Sequence, residues 1–252
     1  MRKEINADTA LKNVLGLMKA AGFPVTEDVK VVVDEKLSFM GYTSQTMGTH
    51  TVVVSGFAVK SDMFEGLLMH EVSHVYRTVT KHPSHNYELI AEAVNLTANK
   101  HKLHEDYQQD ILHQIVNSIQ DLYADDILTK VLNKQKSQLF PPETLSEFFL
   151  GWVSEKPITD KDKIKSKWIN ASLMLKNSFA ISNMQRHEMK DIGGKAGKRN
   201  EEFLLRLPAA ASKEFNYFNR FMAGLKEDIT NDQFSKQLKE YIERFLVVVK
   251  RI

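Results

Sequence analysis

The sequence predicts an α+β fold that is mostly helical. Short β-branched runs bounded by turn residues fall within residues 29–56, one amphipathic helix precedes them, and helical periodicity runs from Asp62 almost to the C-terminus. Such an order places a small sheet and an adjoining helix in the N-terminal part, followed by a helical C-terminal region.

Residues 8–21 (DTALKNVLGLMKAA) repeat apolar side chains at helical spacing and stop at Gly22, with Pro24 just beyond, which predicts a first helix. VKVVVD (29–34) and HTVVVSG (50–56) read as strands, with FMGYTS (39–44) as a third between them, and the three are expected to form a small antiparallel sheet. Asp62 and Glu65 have capping-box spacing and open a helix running to about Lys81, which KHPSHN ends. Helices are predicted over 86–103 and 105–134. Pro141 and Pro142, followed by Thr144 and Glu147 at a second capping-box spacing, mark the clearest internal boundary, so the domains are read as 1–140 and 141–252. Beyond it, helices are predicted near 144–153, 161–185, 200–224 and 231–249. GGKAGKRN (193–200) is the most loop-like stretch between them, and with KRNEEF it reads as a segment able to close over a site. Phe215, Phe218, Phe221 and Leu225 have helical spacing and read as core.

At 252 residues and 42% hydrophobic composition the chain can bury a core of its own. Its 34 basic and 32 acidic residues nearly cancel, so nothing in the charge points to nucleic acid as a partner. The N-terminal MRKEINADTALKN lacks the apolar centre of a signal peptide, and no apolar run is long enough to span a bilayer. A cytoplasmic protein that does not engage a membrane is expected. There is no cysteine, so a disulfide framework and a thiolate metal site are both excluded, and a metal would have to be held by His, Asp or Glu.

That ligand set is present. LLMHEVSHVY contains His70-Glu71-Val72-Ser73-His74, the H-E-x-x-H pattern of zinc hydrolases. On a helix, Phe64, Leu68, Val72, Val75 and Val79 form an apolar stripe toward the core, while His70 and His74 fall on the other side, one turn apart, where both imidazoles can face one ion. Glu71 lies to the side of the pair, suited to accept a proton as general base and not to serve as a third ligand. Catalytic zinc takes three protein ligands, so one more is required. On the helix 105–134, whose core stripe is Ile111, Ile115, Ile119 and Leu122, residues Asn117, Asp121 and Asp125 share a separate face. Asp121 is the leading third ligand, with Asp125 accepting a hydrogen bond from a ligand imidazole. Asp126 projects onto the apolar stripe and needs a partner. His82 and His85 flank Pro83 and read as residues that order the turn. Glu92, one turn from Glu88, stays open as an alternative ligand, as does Asp125.

These residues resemble the zincin metallopeptidases. Asn117-x3-Asp121-x3-Asp125 is similar to the helix that follows H-E-x-x-H in several zincin-like families, and HEVSHVYRTVTKHPSHN with QDLYADDI resembles an uncharacterised archaeal family of such proteins. The resemblance covers roughly residues 62–130. Thr80 stands at the position where a metzincin would have its third histidine, which excludes that class, and Glu92 has near-gluzincin spacing without the usual neighbouring residues. What the resemblance implies is a zinc-dependent peptidase acting on a peptide or protein substrate. An edge strand, HTVVVSG, would pair with the substrate. His187 or Tyr123 would steady the oxyanion. An inactive zincin-fold binding or chaperone-like module, or a hydrolase of non-peptide bonds, is the alternative, and the oligomeric state is left open.

Overall fold

A computed structural model describes residues 6–46, 48–135 and 142–252, with the side chains of Gln135 and of 142–144 excepted. The chain forms two compact units, Met1–His85 with Tyr123–Pro141, and Asn86–Leu122 with Pro142–Ile252. The segment 86–122, read from the sequence as part of the N-terminal domain, thus groups with the C-terminal helices. Pro141 and the Thr144 side chain, which marked the sequence boundary, lie outside the described residues.

The first unit opens with helix α1 (Ala7–Ala21). Asn6 caps its start by accepting from the Thr9 amide, and Gly22, at φ 96°, ends it in the left-handed conformation that glycine tolerates. Leu11, Val14 and Met18 line its buried face. Strands β1 (Val29–Asp34), β2 (Gly41–Thr46) and β3 (Thr49–Ser55) follow. The sheet is mixed, in the order β1-β3-β2: β2 pairs antiparallel with β3, but β1 pairs with β3 in parallel. This corrects the antiparallel expectation. The connection after β1 carries β2 past the place where β3 will lie, so only β2 and β3 form a hairpin. It also corrects the expected edge strand. HTVVVSG is central, with Val52, Val53 and Val54 all buried, and the edges are β1 and β2.

After the one-turn helix α2 (Gly56–Val59), helix α3 (Phe64–Val79) carries the H-E-x-x-H segment. Its cap residue is Met63, one position past the predicted Asp62, and Met63 makes no side-chain cap bond. The turn is instead set by Ser61, whose hydroxyl accepts from the Met63 amide at 3.1 Å. Phe64, Leu68, Val72 and Val75 are fully buried, each stabilising the anchored face by about 1.5–3 kcal/mol, and only Val79, at the frayed end, is partly exposed. Arg77, also buried, donates from Nε and Nη2 to the Tyr123 carbonyl at 3.0 and 2.9 Å, which holds α3 against the segment beginning at Tyr123.

In the second unit, α4 (Tyr87–His101) precedes α5 (Asp106–Gln135), an unbroken helix whose last part belongs to the first unit. Then come α6 (Pro142–Trp152), α7 (Lys163–Arg186), α8 (Lys195–Leu205), α9 (Ala209–Ser212), α10 (Phe215–Ala223) and α11 (Asn231–Arg251). The single helix expected over 200–224 is three: Pro208 cannot continue α8, and a second break at Lys213–Glu214 separates α9 from α10. The loop expected over 193–200 is mostly the start of α8, as is KRNEEF: the Asp191 carboxylate accepts from the amides of Ala196 and Gly197, both at 2.9 Å, and starts the helix early. Phe215, Phe218 and Leu225 are buried, and the half-buried Phe221 stacks on Tyr241. The fold is mostly helical with one small sheet, and no helix among the described residues is long and apolar enough to cross a membrane.

Candidate metal centre

Helix α3 has a buried side and a partly open side, and the open side carries the two histidines. His70 and His74 are both half-buried, with their Nε2 atoms 3.1 Å apart and their rings nearly perpendicular. Zinc bound by imidazole nitrogens at about 2.0–2.1 Å in tetrahedral geometry separates its ligand atoms by about 3.3 Å. The histidine pair therefore matches the spacing of two ligands of one ion. Asp121 supplies a carboxylate oxygen, and one ligand atom from each of His70, His74 and Asp121 lies within 4.8 Å of the other two. An N,N,O set without sulfur suits zinc with a position left for water or substrate.

The ring of His70 is held by Asp125, one turn beyond Asp121 on the same helix. Asp125 Oδ1 stands 2.8 Å from His70 Nδ1, and the carboxylate is buried. An ionised carboxylate only accepts, so Nδ1 carries the proton and the Nε2 lone pair is turned toward His74. Asn117, the third residue of that stripe, is exposed, and Asp126 is buried beside Asp125. Glu92 is exposed and paired with Lys239 at 3.2 Å, and it is not in the ligand group found among the described residues.

Glu71 is buried beside the histidines, and Thr43 on β2 holds its side chain. The Thr43 hydroxyl lies 2.8 Å from Glu71 Oε2 and 3.1 Å from the Glu71 carbonyl, so it donates to the nearer carboxylate oxygen. His74 meets His85, whose Nε2 is 2.8 Å from His74 Nδ1. His85 sits in the 3-10 turn Pro83–His85, which folds back against α3 after Lys81 adopts a positive φ of 56°. Burial holds the His85 imidazole well below the ordinary histidine value, and positive charge on His74, Arg77, His82 or His70 would act in the same direction. Tyr123 is fully buried, its ring packed against the His82 ring and the Arg77 guanidinium. His187 belongs to the second unit, where it ends α7.

A family model matches residues 10–247, nearly the whole chain. The chain belongs to the family of unknown function DUF5781. No curated protein and no solved structure matches it. The match takes in His70, Glu71, His74, Asp121 and Asp125, together with Thr43 and His85, which sequence reasoning did not place in the site. Thr43 belongs to no motif and lies 28 positions before the residue it holds. For His85 a signal existed, a histidine eleven positions after His74, but Pro83 between them read as the end of the helix and nothing more.

Proposed function

We propose that this chain is a zinc-dependent hydrolase of zincin type that cleaves peptide bonds, with His70, His74 and Asp121 as metal ligands and Glu71 as general base. The observation that carries the reading is the convergence of His70 Nε2 and His74 Nε2, 3.1 Å apart, with the Asp121 carboxylate in the same group. Zinc bound there supplies Lewis acidity, which lowers the pKa of water to about 7 and polarises a carbonyl.

The remaining work falls to the chain's own residues. Asp125 fixes the His70 tautomer. Thr43 occupies Glu71 Oε2, which leaves Oε1 to accept the proton of an attacking water and return it to the leaving amine. The peptide class is favoured by β2, an edge strand that carries Thr43 and so runs beside the base. An extended peptide can add to such an edge through main-chain hydrogen bonds.

The test uses untagged full-length protein. It is expected to contain about one zinc per chain and to cleave casein in a reaction stopped by a chelator and restored by zinc. Glu71→Gln is expected to keep the zinc while activity falls by on the order of 10²–10⁴. Asp121→Ala is expected to lose most of the metal. Hydrolysis that persists undiminished in Glu71→Gln would sink the mechanism, and a protein that holds no zinc as purified and takes up none when zinc is added would sink the metal site.

A further inference from the structure

The two histidines are supported differently, His70 by a carboxylate and His74 by another histidine, and the direction of the second support can be worked out from one backbone amide. The Ser84 N–H, which can only donate, lies 3.2 Å from His82 Nδ1, so that nitrogen presents a lone pair. The Ser84 hydroxyl is 2.8 Å from the same Nδ1 and must give its proton there as well. Ser84 Oγ is then an acceptor for its other neighbour, His85 Nδ1, also at 2.8 Å, and the single proton of a neutral His85 ring is on Nδ1. His85 Nε2 therefore accepts, and the proton in its 2.8 Å contact comes from His74 Nδ1. His74 is left with its Nε2 lone pair directed at His70 Nε2. That nitrogen carries a lone pair too, because its ring proton is committed to Asp125.

Two lone pairs 3.1 Å apart repel unless a cation lies between them, so each hydrogen bond in the chain favours the tautomers that a metal requires. We propose that His85, itself oriented by Ser84 and His82, is the positioning residue that locks His74 in its metal-binding tautomer. This rests on the zinc site proposed above. The arrangement is economical in charge. Asp125, Asp121 and Glu71 already bring three carboxylates to the cluster, and a neutral imidazole fixes His74 without adding a fourth. His85 is half-buried between α3 and its own turn, but both of its ring nitrogens are engaged and its partner Ser84 is fully buried, so the acceptor is fixed in place before any metal arrives.

The experiment compares zinc affinity, by competition with a chromogenic chelator, in wild type, His85→Ala and His85→Gln. Gln can present an oxygen near the position of the His85 Nε2 and accept from His74, whereas Ala cannot. His85→Ala is expected to weaken zinc about 10–100-fold and His85→Gln to stay within about threefold of wild type. Equal affinity in all three, or equal weakening in both variants, overturns the positioning role while leaving the zinc site standing. Wild type that binds no zinc overturns both. Should the variants fail to fold, ¹⁵N-resolved imidazole spectra of zinc-free wild type decide the matter. His74 and His85 are expected as Nδ1–H tautomers, and an Nε2–H signal from His74 overturns the proposal.

Discussion

The two oxygens of Glu71 are not equivalent, because Thr43 donates its only hydroxyl proton to one of them at 2.8 Å. A hydrogen bond to an ionised group contributes about 1.5–3 kcal/mol, much of it here as orientation of the carboxylate proposed as the base. Thr43→Val keeps the shape of the side chain and deletes the donor. It is expected to leave zinc content and thermal stability near wild type and to lower kcat on casein about tenfold, with little change in KM. A fall in zinc content equal to the fall in rate would mean that Thr43 supports the ligands and not the base. His70, Glu71 and His74 were legible in the sequence because helical geometry converts their spacing directly into a shared face. Asp121 and Asp125 were legible as one stripe for the same reason. Thr43 and His85 were not, since a strand edge and a reversed turn bring them to the site, and neither has a period that sequence can carry.

At the scale of elements, positions were more legible than pairings. The three strands lie within a residue or two of the β-branched runs, yet the parallel pairing of β1 with β3 depends on where the connection after β1 runs, which the alternation of apolar residues within a strand does not record. Helix ends were missed where a distant carboxylate or a single proline decides them, as Asp191 does for α8 and Pro208 does for the stretch after it. The central position of β3 has a consequence for His50, whose imidazole shares the buried face of that strand with Val52 and Val54. Burial lowers its pKa below 6.5, partly opposed by the negative charge of Glu27. A histidine depressed in the folded state binds its proton more readily when unfolded. Its contribution to stability is therefore complete above about 6.5 and is lost as pH falls through that value toward the folded one. The His50 ring resonances are expected to titrate with a midpoint below 6.5. Between pH 7 and pH 5 the urea midpoint of zinc-free wild type is expected to fall further than that of His50→Gln. A midpoint at or above 6.5 contradicts the burial argument.

For the whole molecule, the division of the chain decides which pieces can stand alone. Segment 86–122 precedes the proline pair in sequence but packs with the helices that follow it. α4 buries Ile90, Ala93, Val94 and Thr97, and its neighbour is α11, which returns Phe234, Leu238, Ile242 and Phe245 to the same core. Tyr241 donates to the Ile115 carbonyl on α5 at 3.2 Å, and Glu243 accepts from Lys100 and His101 at 2.6 and 2.9 Å. The exposed pairs contribute little, about 0–1 kcal/mol each. The apolar faces are another matter, at about 1.5–3 kcal/mol for each large side chain, against a total stability of about 5–15 kcal/mol for an ordinary domain. A fragment ending at residue 140 would keep H-E-x-x-H, Asp121 and Asp125, and by sequence alone it looks like a complete metal-binding domain. It is expected to fail as one. With α11 gone, the buried faces of α4 and of α5 around Ile111, Leu112 and Ile115 are opened to water, and the fragment is expected to aggregate or to unfold over a broad temperature range. Sedimentation and circular dichroism of the 1–140 fragment beside the full chain make the comparison. A monomeric fragment with a sharp thermal transition and zinc affinity near wild type would show that the segment 86–122 is stable without the C-terminal helices, and that the proline pair marks the working boundary after all.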